Sequence, residues 1–171
     1  MSTLFTLAAV AEQIEQLPLS VAIAESQYAF PVIEGVHLIG LSIAVGLLFI
    51  TDLRLAGLIL RGVPATQVLR QLRPWILGGF ASIFITGGLL FFAEAATLVA
   101  NPAFKFKLLF ILLAAINAAY FEFVIARNAG EDLDRPQVAS AVRFAALASL
   151  ALWTIVIVCG RLIPYLPSSP V

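Results

Sequence analysis

The chain is poor in the residues that build metal centres and disulfides. Its 171 residues include one cysteine, one histidine and one methionine. A single cysteine excludes an internal disulfide and a CxxC metal site. The set is also too small to supply the His and Cys ligands of a conventional zinc or copper centre. A metal bound by one copy of the chain through a histidine would therefore depend on His37 alone.

Charge is equally scarce. Only 12% of the residues are charged, with ten basic and ten acidic side chains, about half the charged fraction of an ordinary soluble domain. No basic stripe is present, which excludes a nucleic-acid-binding protein. Residues 1–29 contain no Lys or Arg, so they lack the positive start of a secretory signal.

Long apolar stretches make up most of what remains. The chain is 61% hydrophobic, and its mean hydropathy is +1.03. Proline, glycine and asparagine divide it into four segments long enough to span a bilayer. The predicted helices run from about Pro31 to Leu60, Pro74 to Val99, Pro102 to Arg127 and, after Pro136, through the apolar stretch Phe144 to Ile163. The sequence predicts an all-α integral membrane four-helix bundle.

The two ends of the chain lie outside this bundle. Apolar residues recur at helical spacing near the N-terminus: Leu4, Leu7, Val10, Ala11, Ile14 and Leu17. Glutamate and glutamine lie between and beside them, which indicates an amphipathic helix on the membrane surface. We therefore divide the chain into an interfacial segment (1–29), a transmembrane domain (30–165) and a tail (166–171).

The basic residues predict the orientation. Seven arginines lie in or beside the connections between helices one and two and between helices three and four: Arg54, Arg61, Arg70, Arg73, Arg127, Arg135 and Arg143. The other three basic residues lie at the opposite ends of the helices. The positive-inside rule then puts the seven arginines in the cytoplasm and both termini outside.

This topology gathers ionisable residues from all four helices near the outer face. They are Glu34, His37, Glu94, Lys105, Lys107 and Arg161. Because charge is costly inside a bilayer, each is a candidate functional residue. Arg161 is expected to pair with Glu34 or Glu94. We select His37, Glu34, Lys107 and Arg161 as a cofactor-binding site.

At the inner face, Asp52 and Glu122 are expected to pair with arginines of other helices, such as Arg127 or Arg143. These pairs are interpreted as structural. Between the two levels the bundle is almost free of charge, and its few polar residues include Ser82, Thr86 and Asn117.

His37 has a structural interpretation and a functional one, and the functional one takes two forms. A buried neutral histidine can simply donate a hydrogen bond across the bundle. Alternatively, histidine is the usual axial ligand of haem in membrane helix bundles, with basic residues near the propionates; Arg161 and Lys107 would fill that role. His37 and Glu34 are one helical turn apart and could instead exchange protons, since imidazole titrates near neutral pH. One histidine cannot provide both axial ligands of a haem.

Several motifs together resemble an uncharacterised family of bacterial multi-pass membrane proteins. They are Pro31-x-x-Glu34-x-x-His37-x-x-Gly40, Asp52-Leu53-Arg54-Leu55-x-Gly57, Asn101-x-x-Phe104-x-x-Lys107 and Gly160-Arg161. The resemblance extends from Tyr28 to Tyr165 and implies four helices but no reaction. The cytochrome b561-like haem bundles are similar in architecture only, because this chain lacks their paired histidines.

Three functions are open at this point. The first is a redox protein of the bacterial inner membrane that binds haem b, with His37 as ligand of the iron, or a quinone as the alternative cofactor. The second is a structural or accessory membrane subunit, and the third is a small proton-coupled transporter or channel. A bundle this small is expected to form homo-oligomers or to join a membrane complex. The sequence assigns no catalytic residue and does not decide whether the protein is an enzyme.

Overall fold

Four long apolar helices form the body of the protein. The computed structural model describes residues 2–127, 133–134 and 139–166. The elements are α1 (Ser2–Glu15), α2 (Pro18–Glu25), α3 (Ala29–Leu55), α4 (Ala65–Ala93), α5 (Ala95–Ala100), α6 (Pro102–Tyr120), a π-helical turn (Phe121–Ala126), α7 (Ser140–Leu162) and a 3₁₀ turn (Ile163–Tyr165). The described part contains no strand. Helices α3, α4, α6 with its π turn, and α7 with its 3₁₀ turn are long and apolar enough to cross a membrane, which confirms the four predicted spans.

The four long helices pack as two hairpins. Helix α3 packs against α4, α6 packs against α7, and the hairpins join mainly through α3 and α7. All four helices contribute to an apolar cluster at mid-height, built around Val45, Ala114, Trp153 and Val156. Helices α4 and α6 face each other through larger side chains, with Phe91 stacked on Phe104 at 5.8 Å between ring centroids.

Short helices cover one end of the bundle, which we call the Glu34 end. Helix α1 packs on α5, and α2 contacts α4 and α3. The Glu15 carboxylate accepts a hydrogen bond from the backbone N–H of Ala96 at 2.8 Å, so it caps the start of α5. Leu7 and Val10 remain exposed on α1. The helix that was expected at the N-terminus is present, and its lying on a membrane surface stays a prediction.

Helix α3 ends earlier than the sequence suggested. We expected it to reach about Leu60, but it stops at Leu55. Gly57 then adopts a φ of +73° and Leu60 a φ of +50°. The first angle suits glycine, which has no Cβ to clash in the left-handed region. The chain therefore turns before the apolar run is finished, and apolar composition alone could not mark that point.

Helix α4 begins earlier than expected. Pro74 was predicted to open it, with residues 65–73 as a connector, but α4 starts at Ala65 and continues through Pro74. Proline removes one backbone N–H from the helix ladder, and membrane helices tolerate this when neighbouring groups satisfy the freed carbonyl. At its other end α4 stops at Ala93, because Glu94 leaves helical geometry (φ −137°, ψ 32°) and α5 follows.

The start of α6 agrees with the prediction. The side chain of Asn101 accepts hydrogen bonds from the N–H groups of Ala103 and Phe104, at 2.9 and 3.4 Å. Its amide nitrogen donates to the carbonyls of Ile163 and Leu166, both at 3.0 Å. One buried side chain therefore caps α6 and also ties it to the end of α7. The predicted stop at residues 128–130 and the predicted start at residue 136 lie outside the described residues.

A close backbone contact joins α3 to α4. A Cβ placed on Gly79 would lie 2.8 Å from the Ala44 Cβ and 3.1 Å from its Cα. Ala44 is fully buried. Small residues let membrane helices approach in this way, and the contact is held by van der Waals packing rather than by the hydrophobic effect.

We predict that Gly79→Ala separates α3 from α4. The added methyl has no room, so the variant should lose about 1–3 kcal/mol of stability, as overpacked cores do. The single thiol, Cys159, lies half-buried in α7. Thermal unfolding can therefore be followed by its reaction with a maleimide dye.

The neighbouring glycine provides the control. A Cβ on Gly78 would meet nothing within 4 Å, so Gly78→Ala should leave the melting temperature unchanged or raise it slightly through helix propensity. Equal melting temperatures for both variants would contradict the close packing of Gly79 on Ala44.

Candidate functional site

A hydrogen bond between two helices fixes the only histidine. His37 lies on the bundle side of α3, and its Nδ1 atom is 2.9 Å from the Thr86 hydroxyl oxygen on α4. Thr86 is buried, and His37 is partly buried. The bond satisfies two polar groups inside an apolar region, where an unpaired polar group would be costly.

The environment of Thr86 determines which nitrogen of His37 carries the proton. The Thr86 hydroxyl donates to the backbone carbonyl of Ser82 at 2.6 Å. A hydroxyl has one hydrogen, so towards His37 it acts as the acceptor, and Nδ1 must carry the hydrogen. In the neutral ring Nε2 then keeps its lone pair. The Ile83 carbonyl also lies within reach of the ring, and among the described residues Thr86 is the one side chain hydrogen-bonded to the ring. The site therefore presents a nitrogen that can accept a proton or bind a metal.

Two glycines make room for the His37 ring and for the Lys107 side chain. A Cβ on Gly87 would lie 3.1 Å from the His37 Cε1 atom. A Cβ on Gly160 of α7 would lie 3.5 Å from the Lys107 Nζ atom. The imidazole and the ammonium therefore each lie against a helix surface without a side chain. The two groups are near enough for the charge of Lys107 to act on His37.

Lys107 has no acidic partner at this level. Its side chain is partly buried in α6, yet within the described ranges no carboxylate oxygen lies within 4.0 Å of its nitrogen. Buried charges in membrane bundles are normally paired, and an unpaired one indicates a functional site by default. The ammonium group is thus available to a ligand.

The predicted pairing of Arg161 is wrong. Arg161 was expected to bind Glu34 or Glu94, but it is exposed and its guanidinium lies over the Tyr165 ring, 5.6 Å from the centroid. The end of α7 turns Arg161 outward, so it reaches the aromatic ring one turn later instead. Of the four predicted site residues, Lys107 and Glu34 lie within electrostatic range of His37, and Arg161 lies over Tyr165 instead.

Carboxylates gather at the Glu34 end, close to His37. Partial burial, followed by the nearby charges of Glu34 and Glu15, raises the pKa of Glu94 above its ordinary value of 4.5. Glu94 also lines a cavity of about 370 Å³ together with Ser26 and Gln27. Phe30 and Pro31 also line this cavity, which therefore lies at the start of α3.

The other end of the bundle, which we call the Arg54 end, has different contacts from those expected. Glu122 forms an ion pair with Arg73 of α4, so the prediction that it pairs with an arginine of another helix is confirmed. Asp52 is buried, and no arginine or lysine among the described residues lies within 4.0 Å of it. The expected pairing of Asp52 with Arg127 or Arg143 is therefore wrong, because Arg127 and Arg143 are both exposed.

Sequence reasoning underestimated Thr86 and Gly87. Thr86 was counted among the polar residues of mid-height, whereas it holds His37. A signal was present, because a hydroxyl residue followed by Gly87-Gly88 interrupts an apolar helix. Its partner could not be identified without the register between α3 and α4.

Four spanning helices with a polar site at one end define a multi-pass membrane protein. The chain belongs to a family described as a family of unknown function (DUF6644), whose model matches residues 25–166. Comparisons with curated proteins and with solved structures gave no match. The expected family likeness is confirmed, and the architectural similarity to cytochrome b561-like bundles has no support in these comparisons.

We predict that Glu94→Gln stabilises the protein increasingly as the pH rises. A carboxyl group whose pKa is raised by folding contributes its full stability below the ordinary value of 4.5. That contribution is lost as the pH rises through the folded pKa. The melting temperature of the variant minus that of the wild type should therefore grow with pH across the mildly acidic range.

Glu12→Gln is the matched control, because Glu12 is an exposed glutamate on α1 at the same end of the protein. A substitution at this exposed position should change the melting temperature little. A Glu94→Gln difference that is constant with pH would contradict the placement of Glu94 among other carboxylates.

Proposed function

We propose that this protein is a redox membrane protein that binds a quinone at the site formed by His37 and Lys107. The observation that carries the proposal is the orientation of His37. Its Nδ1–H is used by Thr86, which leaves Nε2 as a proton acceptor beside an unpaired ammonium group.

The two groups suit the oxidised and the reduced form of a quinone. The Lys107 ammonium donates hydrogen bonds and would hold a carbonyl oxygen of the oxidised ring. The Nε2 atom of His37 would accept the hydrogen of a quinol hydroxyl. A bound quinone supplies two-electron, two-proton redox chemistry. The chain's own part is to fix the ring by two contacts and to take up or return a proton at Nε2.

A lipid-soluble ligand also needs a route from the bilayer. The α4–α6 side is the best candidate, because these helices meet through Phe91 and Phe104 rather than through close backbone contact. Aromatic side chains can change rotamer without moving a helix, and a quinone ring can stack on them. This side leads to the level of Lys107.

The orientation follows from the basic residues. We place the Arg54 end in the cytoplasm by the positive-inside rule, with both termini in the periplasm of a bacterial inner membrane. The site of His37 then lies in the outer leaflet. Glu34 and Glu94 would give protons from the site a way to the outside water.

Haem b is the second candidate, and a specific observation favours it. A histidine whose Nδ1–H is held by an acceptor is oriented as metal-binding histidines usually are, so the Nε2 of His37 could ligate the iron. The fit is incomplete. Lys107 is the one basic residue of the predicted site that remains for two propionates, since Arg161 lies over Tyr165.

A transporter is less well supported. Asp52 is about 22 Å along α3 from His37, at 1.5 Å per residue. Between them the apolar cluster of Val45, Ala114, Trp153 and Val156 fills the bundle, so the described side chains offer no polar path through it. An accessory or homo-oligomeric role is compatible with the quinone proposal and does not compete with it.

The test is solvent extraction of protein purified in mild detergent from native membranes, together with a visible spectrum. We expect quinone to co-purify near one molecule per chain, and His37→Ala and Lys107→Leu to lower this occupancy at least tenfold. Thr86→Val should lower the quinone occupancy less, because this substitution removes the hydrogen bond to the His37 ring but leaves the ring present. A Soret band that His37→Ala abolishes would assign haem instead.

Two control variants make the same types of substitution at positions outside the site. Lys105→Leu removes an exposed lysine two residues from Lys107. Thr154→Val removes a threonine that bonds the carbonyl four residues back, at 2.7 Å, as Thr86 does. Both should retain the ligand. The proposal would be overturned if the wild-type protein contained no quinone and showed no Soret band.

A further inference from the structure

The most anomalous polar group in the protein lies at the Arg54 end. Asp52 is 5% exposed, and its Oδ2 atom makes no hydrogen bond. The side chain of Ser149 on α7 is near enough to interact with this carboxyl group, and Ser149 is itself 7% exposed. Two buried oxygen groups from different helices therefore meet, and one carboxyl oxygen is left without a partner.

The basic groups nearby are occupied or turned away. Arg54 is two residues further along α3, which is about 200° around the helix. Its Nε donates to the Val63 carbonyl at 2.7 Å. Arg73 of α4 pairs with Glu122 of the π turn, and Arg143 of α7 is exposed.

A second aspartate at this end, Asp134, has its own partners. The Asp134 side chain accepts hydrogen bonds from the hydroxyl and N–H of Thr66, at 2.6 and 2.9 Å. Those bonds hold the pKa of Asp134 below its usual value of 3.8. Asp134 therefore stays a partly buried anion held by Thr66 and does not share a proton with Asp52.

A bare carboxylate in this position would be unstable. Removing an ion from water without a counter-charge costs several kcal/mol in a protein interior, and more than an unpaired neutral group. The position adds to the cost. Asp52 lies in the last turn of α3, where the helix carbonyls give a negative potential that opposes an anion and favours a cation.

The same position makes the group accessible to small ions. Asp52 precedes the last residue of α3 by three positions, or about 4.5 Å along the axis. It therefore lies just below the surface at the arginine-rich end of the bundle. A proton or a small hydrated cation would have a short distance to travel from the water.

We propose that Asp52 and Ser149 form a binding site for a small monovalent cation, a proton or Na⁺, that is separate from the site of His37. The cation neutralises the Asp52 carboxylate and uses the free lone pairs of Oδ2. Oxygen ligands and a formal negative charge suit both ions. The site exchanges its cation with the water at the Arg54 end.

Dicyclohexylcarbodiimide is the probe, because this apolar reagent modifies protonated carboxyl groups inside membranes. The full-length protein in detergent or liposomes is treated in sodium-free buffer at mildly acidic pH, and the labelled peptide is located by mass spectrometry. We expect labelling at Asp52. A proton site loses label as the pH rises, regardless of salt. A Na⁺ site also loses label, at least tenfold, when Na⁺ is added at fixed pH.

Either pattern supports the proposal, and two others overturn it. No label at Asp52 from mildly acidic to mildly alkaline pH would mean that a protein group holds the carboxylate as an anion. Label that changes with neither pH nor Na⁺ would mean that the carboxyl never exchanges its cation. Neither result depends on whether His37 binds a quinone, so the two proposals fail separately.

Variants confirm the assignment. Asp52→Asn should abolish the label and fold normally, since the amide needs no cation. If this variant does not fold, the labelling of the wild-type protein still tests the proposal. Ser149→Ala should move the half-point of labelling to higher pH or higher Na⁺. Ser42→Ala is the matched control, because Ser42 is an exposed serine of α3 bonded to the Leu38 carbonyl at 2.9 Å, and it should change neither.

Discussion

The hydrogen bond between His37 and Thr86 is the interaction on which the proposed function depends. In lipid, a buried polar side chain must find its partner inside the protein. The helices meet that need by close approach, which Gly79 allows against Ala44. The bond then determines the tautomer of the imidazole, because the Thr86 hydroxyl has already given its hydrogen to Ser82. Packing, hydrogen bonding and chemistry are thus linked along one helix pair.

The distribution of polar groups follows the same constraint. Charged and polar side chains collect at the two ends of the bundle, and an apolar cluster occupies its middle. Both ends keep ionisable groups without an ion-pair partner among the described residues, and these include Lys107 at one end and Asp52 at the other. Such groups cost free energy, and a protein that retains them gains something in return, which we propose to be ligand binding.

Much of this arrangement could be predicted from the sequence. The hydropathy and the helix starts located four spans, and the Asn101–Pro102 start of α6 is as expected. The motif around His37 also pointed to the site that includes Lys107. The end of α3 was not predicted correctly, because the turn lies within an apolar stretch. Helix α3 ends at Leu55, and the chain turns at Gly57.

The errors share a physical origin. Pro74 looked like a helix start because proline suits the first position of a helix, whereas α4 begins at Ala65 and continues through it. Arg161 and Asp52 were assigned partners by depth alone. Depth follows from topology, but rotation about the helix axis depends on packing. That rotation turns Arg161 towards Tyr165 and buries Asp52 beside Ser149, and no single-helix pattern reveals it.

The central claim concerns one nitrogen atom, and the chain is well suited to test it. Because His37 is the only histidine, a sample labelled with ¹⁵N-histidine gives the signals of this ring alone. Nitrogen NMR of the ligand-free protein at mildly alkaline pH should show a hydrogen on Nδ1 and none on Nε2, and Thr86→Val should weaken that preference. A ring protonated on Nε2 instead would contradict the account, since the nitrogen facing a ligand would then be a donor.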